Sequence, residues 1–250
     1  MKEKLLNYVL RLGDDSLILG QRLAEWCGHG PILEEDIALT NISLDLIGQA
    51  TSLLNYAGDL EGKGRKGDDF AFLRLEKEYV NCLLVEQVNG HFGHTILRQF
   101  FFDVFRKNLF ESLQNSSDKH LAAIAEKSLK ETKYHLKHSS EWVIRLGDGT
   151  EESNSKMQES LNTLWRYTDE LFYEDEVDTY LKGQNSVPDL SQLKNSWKEY
   201  VDNILKQANL LIPTNNWQFQ GGRVGRHSEQ MGFILAELQY MQRTYPNMEW

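Results

Sequence analysis

Cysteine, proline and basic residues are scarce in this chain, and each shortage argues against a class of protein. Two distant cysteines, Cys27 and Cys82, indicate reduced thiols in a cytosolic protein rather than a thiolate metal site. Four prolines and few β-branched runs favour helix over sheet. The formal net charge of -10 at pH 7 repels nucleic acid and anionic membranes. The sequence therefore predicts an acidic helical protein that binds neither.

Long apolar runs are also missing. We find no stretch that approaches the ~20 apolar residues of a membrane span. The first twelve residues lack an apolar run followed by a cleavage site. We therefore expect a soluble, cytoplasmic protein. Hydrophobic residues nevertheless make up 40% of the 250 residues, enough to bury a sizeable core.

Apolar residues recur at helical spacing along most of the chain, and Gly, Pro or Asp residues interrupt the pattern. In the first predicted helix, Gly13-Asp14-Asp15 mark a point where it caps and restarts. In the second, Ile37, Leu44, Ile47 and Leu54 form the expected apolar stripe. In the third, Gly90 and Gly93 predict a kink or a π-bulge. The predicted helices span about 5–26, 34–60, 69–113, 118–146, 156–181, 190–211 and 228–244.

Four long helices followed by a helical tail are typical of one fold class. They predict an all-α, ferritin-like four-helix bundle with one long crossover and additional C-terminal helices. The bundle core would cover about 5–146 and the C-terminal helices about 156–244. Residues 1–250 would then form a single domain.

One further absence concerns chemistry, because nowhere in the sequence does a Glu precede a His by three positions. A di-iron bundle takes that pair from two helices and a lone Glu from each of the other two. At the expected positions, Leu46 and Thr132 cannot replace a bridging carboxylate. The sequence therefore predicts the scaffold of a metal oxygenase with no catalytic, cofactor-binding or metal-binding residue of its own.

Acidic and imidazole side chains still occupy the predicted middle of the bundle. Glu86 is expected mid-helix among apolar neighbours, and without a metal a buried carboxylate must protonate or find a cation. We therefore expect a hydrogen-bonded polar network, in which the possible partners of the carboxylates are His135, Arg22, Lys133 and Arg98. A di-metal enzyme with an unusual ligand set is the alternative. The residues concerned are Glu25, Asp45, Glu86, Glu131 and His135, with His138 on the same helix face as the last two.

Two other patterns are weaker. His91 and His94 have the spacing of metal ligands, but the glycines beside them predict a break in the helix. The segment 215–226 is expected to be an ordered surface loop. Its glycines and arginines at 221–226 lack the preceding strand and the spacing of a phosphate loop. A turn with solvated cations is the simpler interpretation, and contact with a partner or a coenzyme phosphate is the alternative.

Seven short motifs occur together along nearly the whole chain. They are LRLGD at 10–14, EWCGH at 25–29, LDLIGQA at 44–50, LVEQ at 84–87, YHL at 134–136, LWR at 164–166 and ELQY at 237–240. With the closing Trp250, this combination resembles the PaaC family, the C subunits of bacterial phenylacetyl-CoA ring epoxidases.

The resemblance implies a ferritin-like fold and a place in a multicomponent monooxygenase. In that family the A subunit holds the di-iron centre and binds the coenzyme A thioester. A reductase with FAD and an iron–sulfur cluster supplies electrons from NADPH, and the C subunit packs against the A subunit.

We therefore expect a non-catalytic structural subunit of aerobic phenylacetate catabolism, without a cofactor of its own. Its partners would be the A subunit and the other subunits of the complex, and self-association is left open. A free-standing acyl-coenzyme A binding module is a further hypothesis.

Overall fold

The computed structural model describes residues 2–214, 217–246 and 248. Over these residues the chain forms ten α-helices and no β-strand, which confirms the all-α prediction. The chain divides into two compact units, Met1–Val88 with Gly221–Trp250, and Asn89–Gln220. That the whole chain is a single domain stays a prediction. The helices are α1 Lys2–Ala24, α2 Leu33–Glu61, α3 Gly67–Phe72, α4 Phe92–Leu113, α5 Lys119–Gly147, α6 Glu151–Leu164, α7 Glu176–Gly183, α8 Leu190–Gln207, α9 Glu229–Leu238 and α10 Tyr240–Thr244.

Helices α1 and α2 pack closely to form the core of the first unit. Two glycines of α1 allow the close approach. A Cβ on Gly13 would lie 2.7 Å from a methyl carbon of Leu54, and one on Gly20 would lie 3.3 Å from the Ser43 carbonyl oxygen. The Ser43 hydroxyl donates to the Gly20 carbonyl at 2.8 Å. The predicted first two helices are thus confirmed to within a few residues.

The prediction that α1 caps and restarts at Gly13 is wrong. The helix runs through this point without interruption, and Asp14 and Asp15 are fully buried in its interior. Aspartates favour caps because they compete for backbone donors. Here both carboxylates are neutralised by arginines distant in sequence, so neither needs to break the helix.

The predicted apolar stripe of α2 is wrong for three of its four members. Leu54 is buried, whereas Ile37, Leu44 and Ile47 are exposed. The buried face carries Leu39, Ile42, Leu46 and Leu53 instead. Because α2 is apolar around most of its circumference, periodicity alone cannot select the face that packs on α1.

By length and composition, α2 is the one described helix that is long and apolar enough to cross a membrane. The expectation that no segment reaches this length is therefore too strong. Half of its most apolar window is buried within the structure. A soluble, cytoplasmic location stays a prediction.

The predicted third helix is wrong over its first half. Only 67–72 and 92–113 are α-helical, and short 3-10 turns at 76–78 and 83–86 lie between extended stretches. The backbone N–H groups of Val80 and Cys82 donate to the carboxylates of Asp14 and Asp15, so they cannot bond within a helix. Gly90 adopts a left-handed φ of 57°, and the chain breaks there completely rather than kinking.

In the second unit, α4 packs against α5, α6 and α8. Helix α5 begins after Asp118, whose carboxylate accepts from the Leu121 N–H at 2.8 Å and caps the helix, close to the predicted start at about 118. Trp197 of α8 donates to the Phe101 carbonyl at 2.9 Å. Four phenylalanines of α4 are buried: Phe100, Phe101, Phe102 and Phe105.

Two of the later predicted helices are interrupted. The helix expected over 156–181 ends at Leu164 and continues as 3-10 turns and the separate α7. The helix expected over 228–244 divides at Gln239, whose buried side-chain amide donates to the Tyr79 hydroxyl at 2.8 Å and to the Arg74 carbonyl at 3.0 Å. The predicted helix over 190–211 is confirmed by α8, which ends slightly earlier.

The predicted surface loop at 215–226 is wrong at its C-terminal end. Asn215 and Asn216 lie outside the described residues. Gly222 and Arg223 are buried in a 3-10 turn, so the interpretation as a turn with solvated cations fails for Arg223. A Cβ on Gly222 would lie 2.2 Å from the Asn81 carbonyl oxygen, which shows how closely the two segments approach.

Two glycines of α2 provide a matched test of this packing. A Cβ on Gly58 would lie 2.2 Å from the Arg65 carbonyl oxygen, whereas one on Gly48 would meet nothing within 4 Å. We expect Gly58→Ala to destabilise the protein by about 1–3 kcal/mol through overpacking. Gly48→Ala should stabilise it by up to about 1 kcal/mol through helix propensity. Urea denaturation measures both, and equal effects would contradict the described loop position.

Candidate functional site

Three fully buried carboxylates define the chemistry of the first unit. Asp14 and Asp15 lie on α1, and Glu86 ends the 3-10 turn at 83–86. An isolated ionised carboxylate in a protein interior costs several kcal/mol, so each needs a cation and hydrogen-bond donors. Each of the three carboxylates has both a cation and hydrogen-bond donors. We call Asp14, Asp15, Glu86 and their cations the buried ion-pair cluster.

Asp14 forms the first pair, with Arg74. The two terminal nitrogens of the guanidinium reach the two carboxylate oxygens, which is the strong bidentate arrangement. The Val80 N–H donates to the same carboxylate at 3.0 Å. Arg74 also donates to the carbonyls of Phe70 and Glu78, and its guanidinium lies 4.1 Å from the Tyr79 ring centroid. The pair therefore fixes the irregular segment after α3 to the middle of α1.

Asp15 forms the second pair, with Arg223. Both contacts of this bidentate pair are 2.9 Å. The Cys82 N–H donates to Asp15 at 2.9 Å, and Arg223 also donates to the Val80 carbonyl at 3.1 Å. Arg223 comes from the segment that follows the second unit in sequence. The pair thus fastens that C-terminal segment to α1.

Glu86 forms the third pair, with His227. His227 Nδ1 lies 2.5 Å from one carboxylate oxygen, and its Nε2 lies 3.0 Å from the Tyr79 carbonyl oxygen. The Ser228 hydroxyl and N–H bind the other carboxylate oxygen at 2.7 and 2.9 Å, and Asn81 donates at 2.9 Å. Both ring nitrogens of His227 face oxygen atoms that accept hydrogen bonds, so a doubly protonated, cationic imidazole satisfies both contacts.

The electrostatics agree with this assignment. Burial opposes the charge on His227, but the hydrogen bond and the charge of Glu86 outweigh it and hold the pKa of His227 above its usual 6.5. Burial also raises the pKa of the nearby Tyr79 hydroxyl to about 12, so this group stays neutral and donates to the Ala71 carbonyl. The buried ion-pair cluster thus contains three anions and three cations.

Of the residues predicted from sequence, Glu86 is confirmed as buried, but its mid-helix position is wrong. Glu25 lies just after α1, is partly exposed and binds Arg22 at 2.8 Å. The Arg22 guanidinium also donates to the Glu86 backbone carbonyl at 3.0 and 3.1 Å, so Arg22 contacts the predicted glutamate through its main chain. Asp45 lies half-buried on α2.

Glu131 and His135 belong to the second unit, on α5, where His135 is buried and Glu131 and His138 are half-buried. The other predicted cations bind elsewhere. Arg98 donates to the Asn89 side chain at 2.7 Å, and Lys133 lies 3.8 Å from a Glu111 carboxylate oxygen at the surface.

The second unit has a buried acid that the sequence analysis missed. Asp103 of α4 accepts from the Ser139 hydroxyl and the Gln99 amide, both at 2.7 Å. Burial raises the pKa of Asp103 to about 7, against the lowering effects of His135, Ser139 and Gln99. Asp103 lies in an apolar, aromatic-rich run, which is the signal that could have identified it.

His91 and His94 do not form a metal-binding pair. His91 caps α4, and its Nδ1 accepts from the His94 N–H at 3.3 Å. Its Nε2 lies 3.1 Å from the Ser160 hydroxyl. Burial lowers the pKa of both imidazoles, to about 4 for His94, which keeps them neutral at neutral pH.

The ferritin-like prediction implies a di-metal centre, and the donor sets do not fit one. Throughout the part of the chain that the structure describes, no group of three or more His, Cys, Asp or Glu side chains is arranged to hold a metal ion. In the buried ion-pair cluster the carboxylate oxygens accept from arginine, histidine, asparagine, serine and backbone donors. A metal ion would have to displace the protein's own cations.

Comparison with known proteins gives two matches. The family model of phenylacetic acid catabolic proteins matches residues 1–250. A relative from Escherichia coli (strain K12), the C subunit of 1,2-phenylacetyl-CoA epoxidase, is 47% identical over 247 residues, which cover 99% of each chain. The resemblance drawn from the sequence motifs and the ferritin-like fold class are both confirmed by these matches.

The second ion pair provides a stability test with a neighbouring control. Arg223→Met leaves Asp15 buried without its cation and should lower the free energy of unfolding by about 3–5 kcal/mol. Arg226, three residues later, is exposed, so Arg226→Met should change the free energy of unfolding by less than about 0.5 kcal/mol. Urea denaturation of the two variants measures the difference, and similar values would rule out a buried Asp15–Arg223 pair.

The third ion pair predicts a dependence of stability on pH. Because the pKa of His227 is raised in the folded protein, its stabilising contribution is complete below pH 6.5 and is lost as the pH rises through the folded-state pKa. The stability difference between wild type and His227→Gln should therefore shrink as the pH rises above 6.5. His29→Gln, at an exposed histidine, serves as the control. A difference that stays constant across the range would contradict a raised pKa of His227 in the folded protein.

Proposed function

We propose that this chain, which belongs to the phenylacetic acid catabolic protein family, is a non-catalytic structural subunit of a phenylacetyl-CoA epoxidase. Its relative is named as the C subunit of that enzyme, and the match extends over nearly the full length of both chains. In the proposed complex, a separate catalytic A subunit carries the di-iron centre. A reductase with FAD and an iron–sulfur cluster delivers electrons from NADPH. The complex works in the cytoplasm during aerobic phenylacetate catabolism.

One observation carries the non-catalytic part of the proposal. The buried carboxylates of the first unit are already neutralised by Arg74, Arg223 and His227. A di-iron centre needs carboxylates and imidazoles whose lone pairs are available to the metal. Here both ring nitrogens of His227 lie within hydrogen-bond distance of protein oxygen atoms, so neither faces an open position for a metal ion. This chain's own residues therefore support an electrically balanced interior rather than a redox centre.

A rigid subunit of this kind can stabilise a catalytic neighbour. An open di-iron site places buried charge between helices and stabilises its own bundle poorly. A partner that binds only the folded form shifts the equilibrium toward that form by mass action. Obligate interfaces of ~2,000 Å² or more are sufficient for such stabilisation. The proposed role is therefore to hold the helices of the A subunit in place.

Reconstitution with the A subunit tests the proposal. We expect this chain to co-purify with the A subunit and to increase the amount of soluble, active A subunit several-fold. Glu86→Gln weakens the ion pair with His227 and should lower stability or association, while turnover per assembled complex stays within about twofold of wild type. Assays of complex yield and of phenylacetyl-CoA oxidation separate the two effects.

Three results would contradict this role. Stoichiometric iron or manganese in the purified chain would favour the alternative, a di-metal carboxylate enzyme. A large loss of turnover in an intact Glu86→Gln complex would give Glu86 a catalytic part. Tight binding of phenylacetyl-CoA to the isolated chain, measured by calorimetry, would favour an acyl-coenzyme A binding module.

A further inference from the structure

Helix α2 has a second apolar face, which is largely exposed in the described structure. At its edge, Ile47 also approaches Gly20 of α1. Leu33, Ile37, Leu44 and Ile47 are 71%, 50%, 61% and 36% exposed. Their spacings of four, seven and three residues place them along one side of the helix. We call these four residues the α2 outer stripe. Isolated exposed leucines are ordinary, but an aligned row of large apolar side chains marks an interaction surface.

The opposite side of α2 already packs on α1, so the helix is apolar on both sides. A helix that is hydrophobic all round is normally buried all round. Gly48 lies beside the α2 outer stripe, and a Cβ there would meet nothing within 4 Å, so the backbone is open to close approach. These features fit a helix that receives a second helix along its outer side.

The charges of α2 restrict what that second helix can be. The 29 residues contain six carboxylates and no Lys, Arg or His. Glu34 is exposed on one edge of the α2 outer stripe, beside Leu33, and Asp59 is exposed on the same side of the helix about three turns beyond Ile47. A partner with basic residues beside its own apolar stripe would complement this edge. A second copy of α2 would bring six more carboxylates, and the whole chain carries a net charge of -10.

We infer that the α2 outer stripe is the docking face for an amphipathic helix of the catalytic A subunit that carries Lys or Arg along its flank. The inference rests on the proposed function, because it names the face through which that function is exerted. Apolar contacts supply the affinity, and the acidic edge selects a basic partner and orients it.

Paired variants of opposite charge test both parts of the inference. Ile37→Lys/Leu44→Lys and Ile37→Glu/Leu44→Glu remove the same apolar contacts. Against a basic helix, the lysines add repulsion and the glutamates add attraction. We expect the lysine variant to bind the purified A subunit at least tenfold more weakly than wild type, and about threefold more weakly than the glutamate variant. The difference between the variants should shrink at high salt.

Leu211→Lys is the matched control, since Leu211 is a highly exposed leucine of the second unit and lies outside the α2 outer stripe. It should bind like wild type. All variants should retain the helical content and melting temperature of wild type, because the replaced side chains are exposed. Circular dichroism checks this before binding is measured by titration.

Several outcomes would overturn the inference. If wild type binds the A subunit and the lysine variant binds equally well, the docking face is wrong while the proposed function stands. If wild type does not bind the A subunit, both fail. If the glutamate variant binds the A subunit more weakly than the lysine variant does, a basic partner helix is excluded. If wild type is a dimer and the lysine substitutions dissociate it, the α2 outer stripe binds a second copy of this chain. If wild type sediments with phosphatidylcholine vesicles and the lysine variant does not, the stripe binds a membrane.

Discussion

Neutralisation of three buried carboxylates is the constraint on which the first unit depends. Asp14 and Asp15 lie side by side in the middle of α1, where a helix interior offers no backbone donors to them. The solution is to bring Arg74 and Arg223 from two separate parts of the chain. Arg74 belongs to the irregular segment 73–91 and Arg223 to the C-terminal segment. The ion pairs therefore determine where these two segments lie. Removing one partner would leave a bare buried charge, which is far more costly than losing a surface contact.

The buried ion-pair cluster also bears on whether this chain can hold metal ions. A ferritin-like bundle that holds metals uses the positive charge of the ions to balance its buried acids. In this chain arginine and histidine side chains balance buried acids of the first unit, and the hydrogen-bond geometry saturates the carboxylate oxygens. Side-chain cations are fixed to the backbone, so the balance does not depend on metal supply. An interior of this kind is suited to rigidity, and rigidity is what a supporting subunit has to provide.

The sequence predicted those parts of the fold that depend on neighbouring residues. Helices α1, α2, α5 and α8 were recovered because each has a local apolar period and a clear terminus. The segment 73–91 was not, because its amides bond to carboxylates more than sixty residues earlier, and no local pattern records that. The burial of Glu86 was predictable from its apolar neighbours. Its partner His227 lies 141 residues away, and neither the spacing nor the composition of 221–228 indicates the contact. Two adjacent aspartates within an apolar helix were the available signal, and they suggested a cap instead.

The limits of local sequence patterns also explain why the predicted apolar stripe of α2 was wrong for three of its four residues. Periodicity identifies the core face of a helix only when the other face is polar. On α2 the outer face is apolar as well, so the pattern marked Ile37, Leu44 and Ile47 as buried although the isolated chain leaves them exposed. A sequence under selection for solubility alone would place polar residues there, at little cost to the packing against α1. The apolar side chains at these positions are consistent with burial in the proposed complex. The interior of the first unit already pairs its acids with basic side chains, so the apolar outer face of α2 is where the proposed contact with another chain can still stabilise the protein.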